Sequence, residues 1–343
     1  MHVPHADWFQ RLTGFRELAY DETRARLEVR DGRLFSRVND ASYGIGDFAM
    51  RSLAELREEA LAQAPSLRGR LSVSNVCGDV RRMHHEHAHD GALFQVASQF
   101  NALEMVGPSV SPEDGVTRYE ADRTQGPACA IAAGAATIYR NYFAPVDGEQ
   151  GQTAARQLDG LAGLGAALDN RDGRLWLMRN GYALCTPEGL AEIDRRIAGA
   201  TAAQVGAWRD LLRIGVHRDV EVTDARDTPR PTVSQAFCSA LPVSYTRIDS
   251  PHWSAFATLV LEGAYEATLW AAVLNAVRGA SPLVFLTWLG GGAFGNDENW
   301  IHAAMRRALR KVAGLALDVR LVSYGAVPPE LRALAAEFAK AAT

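Results

Sequence analysis

The chain has 343 residues, 48% of them hydrophobic and 22% charged, which supplies a sizeable core and excludes a disordered or low-complexity protein. A formal net charge of −4 excludes the broad basic surface of a non-specific nucleic-acid binder, so no nucleic-acid partner is expected, while a local anion site stays open. Length alone allows one large domain or two.

Cys77, Cys129, Cys185 and Cys238 are far apart and form no CxxC pair. That argues against a zinc site or a disulfide framework and fits a reducing, cytoplasmic setting. The N-terminal MHVPHADWFQRL has early charges and lacks the apolar core of a signal peptide.

Residues 1–66 read as an N-terminal accessory region. ARLEVRDGRLFSRV has the form of a β-hairpin turning at Asp31-Gly32. DFAMRSLAELREEALAQ then places Phe48, Leu53, Leu56 and Ala60 at helical spacing. From residue 67 to 343 the signal is denser. RLSVSNVCGDV is a strand with Leu71, Val73 and Val76 apolar, and GALFQVASQFNALEM opens on a buried strand that ends near Asn101. A loop of small and acidic residues runs from Gly107 to Gly126, followed by an Ala-rich helix starting at Pro127, where proline fits the first turn.

Strands with turns at Asp172-Gly173 and Asn180-Gly181 are expected over 170–186, a helical stretch over 188–213, and a charged surface loop with Pro229 and Pro231 over 219–231. VSQAFCSALPVSY is a buried strand or two. Phe256, Leu259, Val260, Gly263, Ala267 and Leu274 mark one face of a helix. Glu262 and Glu266 interrupt that stretch, so it reads as a core helix, and no membrane is expected as a partner. LVFLTWL is a strand, GGGAFGND a loop, and Ile301, Met305, Ala308 and Val312 form a helical stripe that Gly314 can end. LALDVRLVSYG closes the pattern as a last strand, with Leu315, Leu317, Val319 and Leu321 inward. Strands alternating with helices argue for an α/β layer fold.

Two loops carry chemistry. Gly290-Gly291-Gly292-Ala293-Phe294-Gly295 lies between a strand and a helix, where free backbone N–H groups can wrap an anion. No Lys-Ser/Thr follows, so it is not a P-loop, and a glycine-rich turn without a ligand is the competing explanation. Phe294 either caps the core or stacks on a sugar or base. SPEDGVTRYEADRTQG gathers Glu113, Asp114, Glu120 and Asp122. Such a cluster is either solvated surface charge or a source of the carboxylates used in glycosidic chemistry.

These residues resemble the poly(ADP-ribose) glycohydrolase branch of the macrodomain superfamily. The resemblance rests on Val96-Ala97-Ser98-Gln99-Phe100-Asn101 before an acidic loop, on Gly290 to Asp297 before a helix, and on Cys77-Gly78-Asp79-Val80. The family's Gly-Gly-Gly and Gln-Glu-Glu catalytic pattern is absent. Gly107-Pro108-Ser109 and the acidic cluster stand in its place, as in a divergent group acting on arginine-linked mono-ADP-ribose. The resemblance implies an α/β, macrodomain-like three-layer sandwich with a mixed central sheet and an N-terminal extension. It implies Asp79 at the adenine, Asn101 at the distal ribose, and Gly290, Gly291, Gly292, Ala293, Gly295 and Asn296 around the diphosphate, with Phe294 packed on the ligand. Asp122, near a helix start where an anion is favoured, becomes the ionised acid, with Asp114 its partner and Glu113 beside them.

The implied activity is hydrolysis of an ADP-ribosyl bond on modified protein side chains, with ADP-ribosylated proteins as partners, ADP-ribose as ligand and no cofactor required. A reader that binds ADP-ribose without cleaving it, and a poly(ADP-ribose) glycohydrolase, are the alternatives. His84, His85, His87 and His89 suggest a third reading, a metal site, against which stands a solvated polar linker. His217 is a candidate to line the cleft, and His252 and His302 read as structural or surface residues.

Overall fold

A computed structural model describes residues 6–340. Seven strands build the central sheet: β1 (Asp47–Ser52), β2 (Ser72–Cys77), β3 (Leu93–Ala97), β4 (Arg213–Glu221), β5 (Thr232–Cys238), β6 (Leu283–Leu286) and β7 (Asp318–Ser323). Their order is β1-β4-β5-β3-β6-β7-β2. β4 is antiparallel to both neighbours, whereas β5, β3, β6, β7 and β2 all run parallel. β1, antiparallel to β4, runs the same way as these five, so the carboxyl ends of six strands share one edge, the usual place for a ligand in an open α/β sheet.

Both faces of the central strands β3, β5 and β6 are covered, so these are buried almost throughout, whereas β1, β2 and β7 are partly exposed. Phe94, Val96, Phe237 and Phe285 face a layer made by α2 (Gln125–Ala132), α3 (Gly134–Tyr142) and the short Val80–His84 helix. Leu93, Ala236, Val284 and Leu286 face the opposite layer. That layer contains α1 (Leu53–Gln63), α4 (Ser254–Val277), α5 (Glu298–Lys311) and α6 (Pro329–Lys340). The result is the expected three-layer sandwich with a mixed sheet. α4 is long and apolar enough to cross a bilayer, yet 89% of its most apolar window is buried by its neighbours, as a core helix requires. The cysteines are unpaired.

The N-terminal stretch divides in a way its sequence did not suggest. Residues 8–46 contain the hairpin Leu27–Arg30 and Arg33–Ser36, turning at Asp31 (φ 49°) and Gly32 (φ 69°), and a third strand, Ser42–Gly44. Trp8, Phe9, Leu12, Phe15, Leu27 and Leu34 form a second core with Val116, Tyr119, Ile131 and Ile138. Residues 47–63 instead join the main unit, so a boundary at residue 66 cuts through the central sheet. Phe48, expected on a helix, lies in β1 opposite His217. The helix starts later because Ser52 and Glu55 form a reciprocal capping box, worth about 1 kcal/mol, which fixes α1 from Leu53 onward.

Other differences have local causes. The Ala-rich helix begins at Gln125 and breaks at Ala133 (φ −109°, ψ 57°), giving two helices in place of one. The stretch expected to be helical over 188–213 is two helices, Pro187–Gly199 and Ala202–Asp210, and β4 follows at once. Part of the expected 219–231 loop belongs to that strand, whose Arg218 and Glu221 sit at partly exposed positions that mask its pattern.

Candidate functional site

Three loops meet at the carboxyl edge of the sheet: residues 98–105 after β3, 239–245 after β5, and 287–297 after β6. The glycine loop is shaped by positions that only glycine fills well. Gly290 and Gly295 have φ of 76° and 69°, and a Cβ on Gly291 would lie 1.7 Å from the Trp288 ring. Gly291, Gly295 and Asn296 donate backbone hydrogen bonds to Trp288, Gly292 and Gly290. Among the described residues, no protein acceptor receives the N–H groups of Gly292, Ala293 and Phe294. Gly292 and Ala293 are exposed, and α5 begins just beyond, capped by the Asp297 carboxylate on Asn299 N. The loop thus presents unpaired donors beside a helix start, which suits a phosphate group.

Asn296 has a bracing role here. It is buried, and its amide nitrogen donates to the carbonyls of Leu241 (2.8 Å) and Gly290 (3.3 Å), fastening the glycine loop to the loop after β5. Phe294 is half-buried against two aromatic rings, Tyr182 at 5.4 Å and Tyr245 at 5.5 Å between centroids. Tyr182 belongs to the hairpin Trp176–Arg179 and Tyr182–Cys185, which turns at Asn180-Gly181 as the sequence suggests. Its phenol donates to the Met105 carbonyl at 2.6 Å, and Gly181 O accepts from Phe100 N at 3.0 Å. The hairpin therefore lies on the loop after β3 and reaches the glycine loop. Burial, reinforced by nearby Tyr245 and Asp122, holds the Tyr182 phenol far above its ordinary pKa, so it stays a donor.

The four loop acids separate. Asp122 is half-buried, accepts from Thr124 N at 2.8 Å just before α2, and lies close enough to Tyr182 to act on it electrostatically. Asp114 is exposed and turns back on its own strand of chain, accepting from Ser111 N (2.8 Å) and Ser111 Oγ (3.2 Å). Glu113 accepts from Ala154 N at 2.9 and 2.8 Å, one contact to each oxygen. Glu120 accepts from Trp8 N and pairs with Arg11. Asp114 and Asp122 thus each cap their own turn, and the 111–121 segment between them is tied to the N-terminal extension. Glu17 makes that tie, accepting from Val116 N (2.8 Å), Thr117 N (2.7 Å) and Tyr142 Oη (2.7 Å).

Asn101 is wholly buried, with both ends of its amide used internally: Nδ2 donates to Gln157 at 2.8 Å and Oδ1 accepts from Leu103 N at 3.1 Å. Its amide braces the loop and is closed to solvent in this conformation. Asp79 is half-exposed at the end of β2 and caps the Val80–His84 helix through Arg81 N at 2.9 Å. Beside it, Gly78 N donates to Ser323 O, which brings in Tyr324, 87% exposed at the end of β7. Tyr324 falls inside the LALDVRLVSYG segment, where nothing local marks it as exposed, because β7 ends just before it at Ser323.

The histidines disperse. His84 is buried and stacked on Phe94 (3.8 Å), its Nδ1 2.8 Å from the Val80 carbonyl, and burial pushes its pKa down to about 4. His85 meets Asp224, His87 meets Asp90, and His89 meets the Met83 carbonyl. Among the described residues no cluster of three His, Cys, Asp or Glu side chains is gathered for a metal. His217 does not line the cleft. It is fully buried, 3.4 Å from an Arg140 nitrogen, and burial and that cation depress its pKa well below the ordinary value.

No protein-family model and no curated protein matches the sequence. Solved structures do resemble the fold. Poly(ADP-ribose) glycohydrolase from Deinococcus radiodurans in complex with ADP-ribose superposes with a TM-score of 0.45 at 12% identity, covering 86% of this chain and 95% of that one. The enzyme of the same name from Thermomonospora curvata gives a TM-score of 0.41 at 14% identity, covering 90% of this chain and 93% of that one. This chain is similar in fold to those poly(ADP-ribose) glycohydrolases.

Proposed function

We propose that this protein binds ADP-ribose and hydrolyses the bond joining its distal ribose to a modified protein side chain. The observation that carries the reading is the 292–294 backbone, exposed at Gly292 and Ala293, whose three N–H groups have no acceptor among the described residues and lie just before α5 at the carboxyl edge of the sheet. The diphosphate takes these donors. Tyr324 and Asp79 supply a stacking face and an acceptor for adenine at the ends of β7 and β2, and Phe294 with Tyr245 and Tyr182 walls the other end.

Arginine-linked mono-ADP-ribose is the substrate this chemistry suits best. Asp122 is the one loop acid that is neither bound to the N-terminal extension or Ala154 nor folded back on Ser111. One carboxylate can stabilise an oxocarbenium-like centre or activate water. An acetal oxygen, the leaving group in a poly(ADP-ribose) chain, also needs a positioned acid. A ribosylated guanidinium already carries its proton and departs as neutral guanidine, so a single carboxylate is enough. Attack of water on the ribose carbon under carboxylate assistance calls for no metal, and a chelator should leave the rate unchanged.

A reader of ADP-ribosylated proteins is the second reading, favoured by the engagement of Glu113, Asp114 and Glu120 in structural contacts. Incubation with arginine-, serine- and glutamate-linked ADP-ribosylated proteins separates the two. Release of free ADP-ribose from the arginine-linked substrate supports the hydrolase. Tight binding to all three without release supports the reader.

A further inference from the structure

Behind the cleft lies a polar cluster that the proposed chemistry does not use. Arg140 on α3 is wholly buried. Its Nε donates to the Ala102 carbonyl at 3.0 Å, and its Nη2 to Thr137 Oγ1 at 3.1 Å and Glu104 Oε1 at 3.5 Å. The guanidinium carbon sits 3.7 Å above the Phe237 ring. Glu104 is itself 2% exposed, and its Oε2 has no hydrogen-bond partner. Burial pushes its carboxyl up to about 7 despite Arg140. A buried ion pair is a poor device for stability, because apolar residues of similar volume often do as well or better. Its worth here has to lie in what it holds.

What it holds is a strained turn. Ala102 has φ of 58°, unusual for a residue with a side chain. Within the 99–105 loop Met105 N donates to Gln99 Oε1 at 2.7 Å and Leu103 N to Asn101 Oδ1, and from outside it neutral groups join, Gln152 Nε2 donating to the Asn101 carbonyl at 3.1 Å. Among the described residues, the one charged side chain bonded to the Asn101–Ala102 backbone is Arg140, at the Ala102 carbonyl. From the same loop the Met105 carbonyl holds Tyr182, which packs on Phe294. We propose that the Arg140–Glu104 pair is a positioning strut: it fixes the Asn101–Ala102 turn from below and so sets the wall formed by Tyr182 and Phe294 around the ligand. This rests on the ADP-ribose reading of the cleft.

The test is the apolar replacement E104L/R140M, with ADP-ribose titrated into full-length protein. The variant should stay folded, because both charges leave together, and its Kd should rise about tenfold or more, equivalent to 1.4 kcal/mol. Adding A102G, which removes the strain at the turn, should recover most of that loss. A purely structural pair predicts no such rescue. Unchanged affinity in E104L/R140M overturns the strut. If that variant does not fold, R140K keeps the charge opposite Glu104 but cannot hold Ala102, Thr137 and Glu104 together. Its Kd should rise, and wild-type affinity in R140K overturns the proposal. If wild-type protein binds no ADP-ribose, the reading of the cleft fails by itself. The strut is then judged by hydrogen exchange at the Leu103 and Met105 amides, which should quicken at least tenfold in R140K. Unchanged exchange sinks it.

Discussion

The Tyr182 phenol donates to the Met105 carbonyl at 2.6 Å while its ring packs 5.4 Å from Phe294, so one side chain couples the loop after β3 to the glycine loop after β6. Tyr182→Phe keeps the ring and removes the hydrogen bond, leaving a buried carbonyl unpaired. Stability should fall by about 1–3 kcal/mol, read by urea unfolding. ADP-ribose affinity should fall several-fold, because the aromatic wall loses its anchor. A variant that binds and unfolds like wild type would show that this bond couples nothing.

The loop acids should differ in a way their sequence proximity conceals. Asp122→Asn removes the loop charge before α2 and should lower turnover by about 10²-fold with little change in ADP-ribose affinity. Asp114→Asn and Glu113→Gln should stay close to wild-type turnover, since these groups serve Ser111 and Ala154. Equal losses in all three would show that the acids act together. Steady-state rates on arginine-linked substrate decide the matter.

The extension holds the acid loop through Glu17, whose carboxylate accepts three hydrogen bonds. Glu17→Ala should cost about 2 kcal/mol and quicken hydrogen exchange at Val116 and Thr117. Exchange that is unchanged there would mean that the loop keeps its shape without the extension.

Stability should respond to pH through Glu104. Burial raises its carboxyl from 4.5 to about 7, so the folded chain holds a proton there that the unfolded chain releases. Its contribution is complete below pH 4.5 and is lost as pH rises towards 7. Buried His217 opposes this below pH 6.5, because burial keeps its folded form neutral and stability falls as the unfolded imidazole gains its proton. Comparison with Glu104→Gln isolates the first effect: the stability of wild type relative to the variant should decline between pH 4.5 and 7. A pH-independent difference would place the Glu104 pKa near its unfolded value.

Much of the fold was legible because its signals are local. The α4 stripe from Phe256 to Leu274, the Asn180-Gly181 turn and the GGGAFG loop each depend on residues close in sequence. β1 and β4 were hidden because their identity depends on pairing with each other and with β5, which periodicity cannot supply. The glycine loop was found for the same local reason. The partition of the acids was not, since Glu17 and Trp8 lie far from the loop they hold. Glu104 and Arg140 stood in plain view as charges in apolar segments, Arg140 at the end of an Ala-rich helix. Nothing in spacing alone joins them.

If the 292–294 backbone holds the diphosphate of ADP-ribose, calorimetric titration of wild type and Gly292→Glu will separate the two proteins. A Cβ at Gly292 meets nothing within 4 Å, so the substitution should leave unfolding free energy within about 0.5 kcal/mol. The new carboxylate would stand where the phosphates bind, adding repulsion to blocked backbone approach. Wild type should bind saturably and the variant not at all. Equal binding to both, or no heat with wild type at millimolar ADP-ribose, would contradict this placement of the diphosphate.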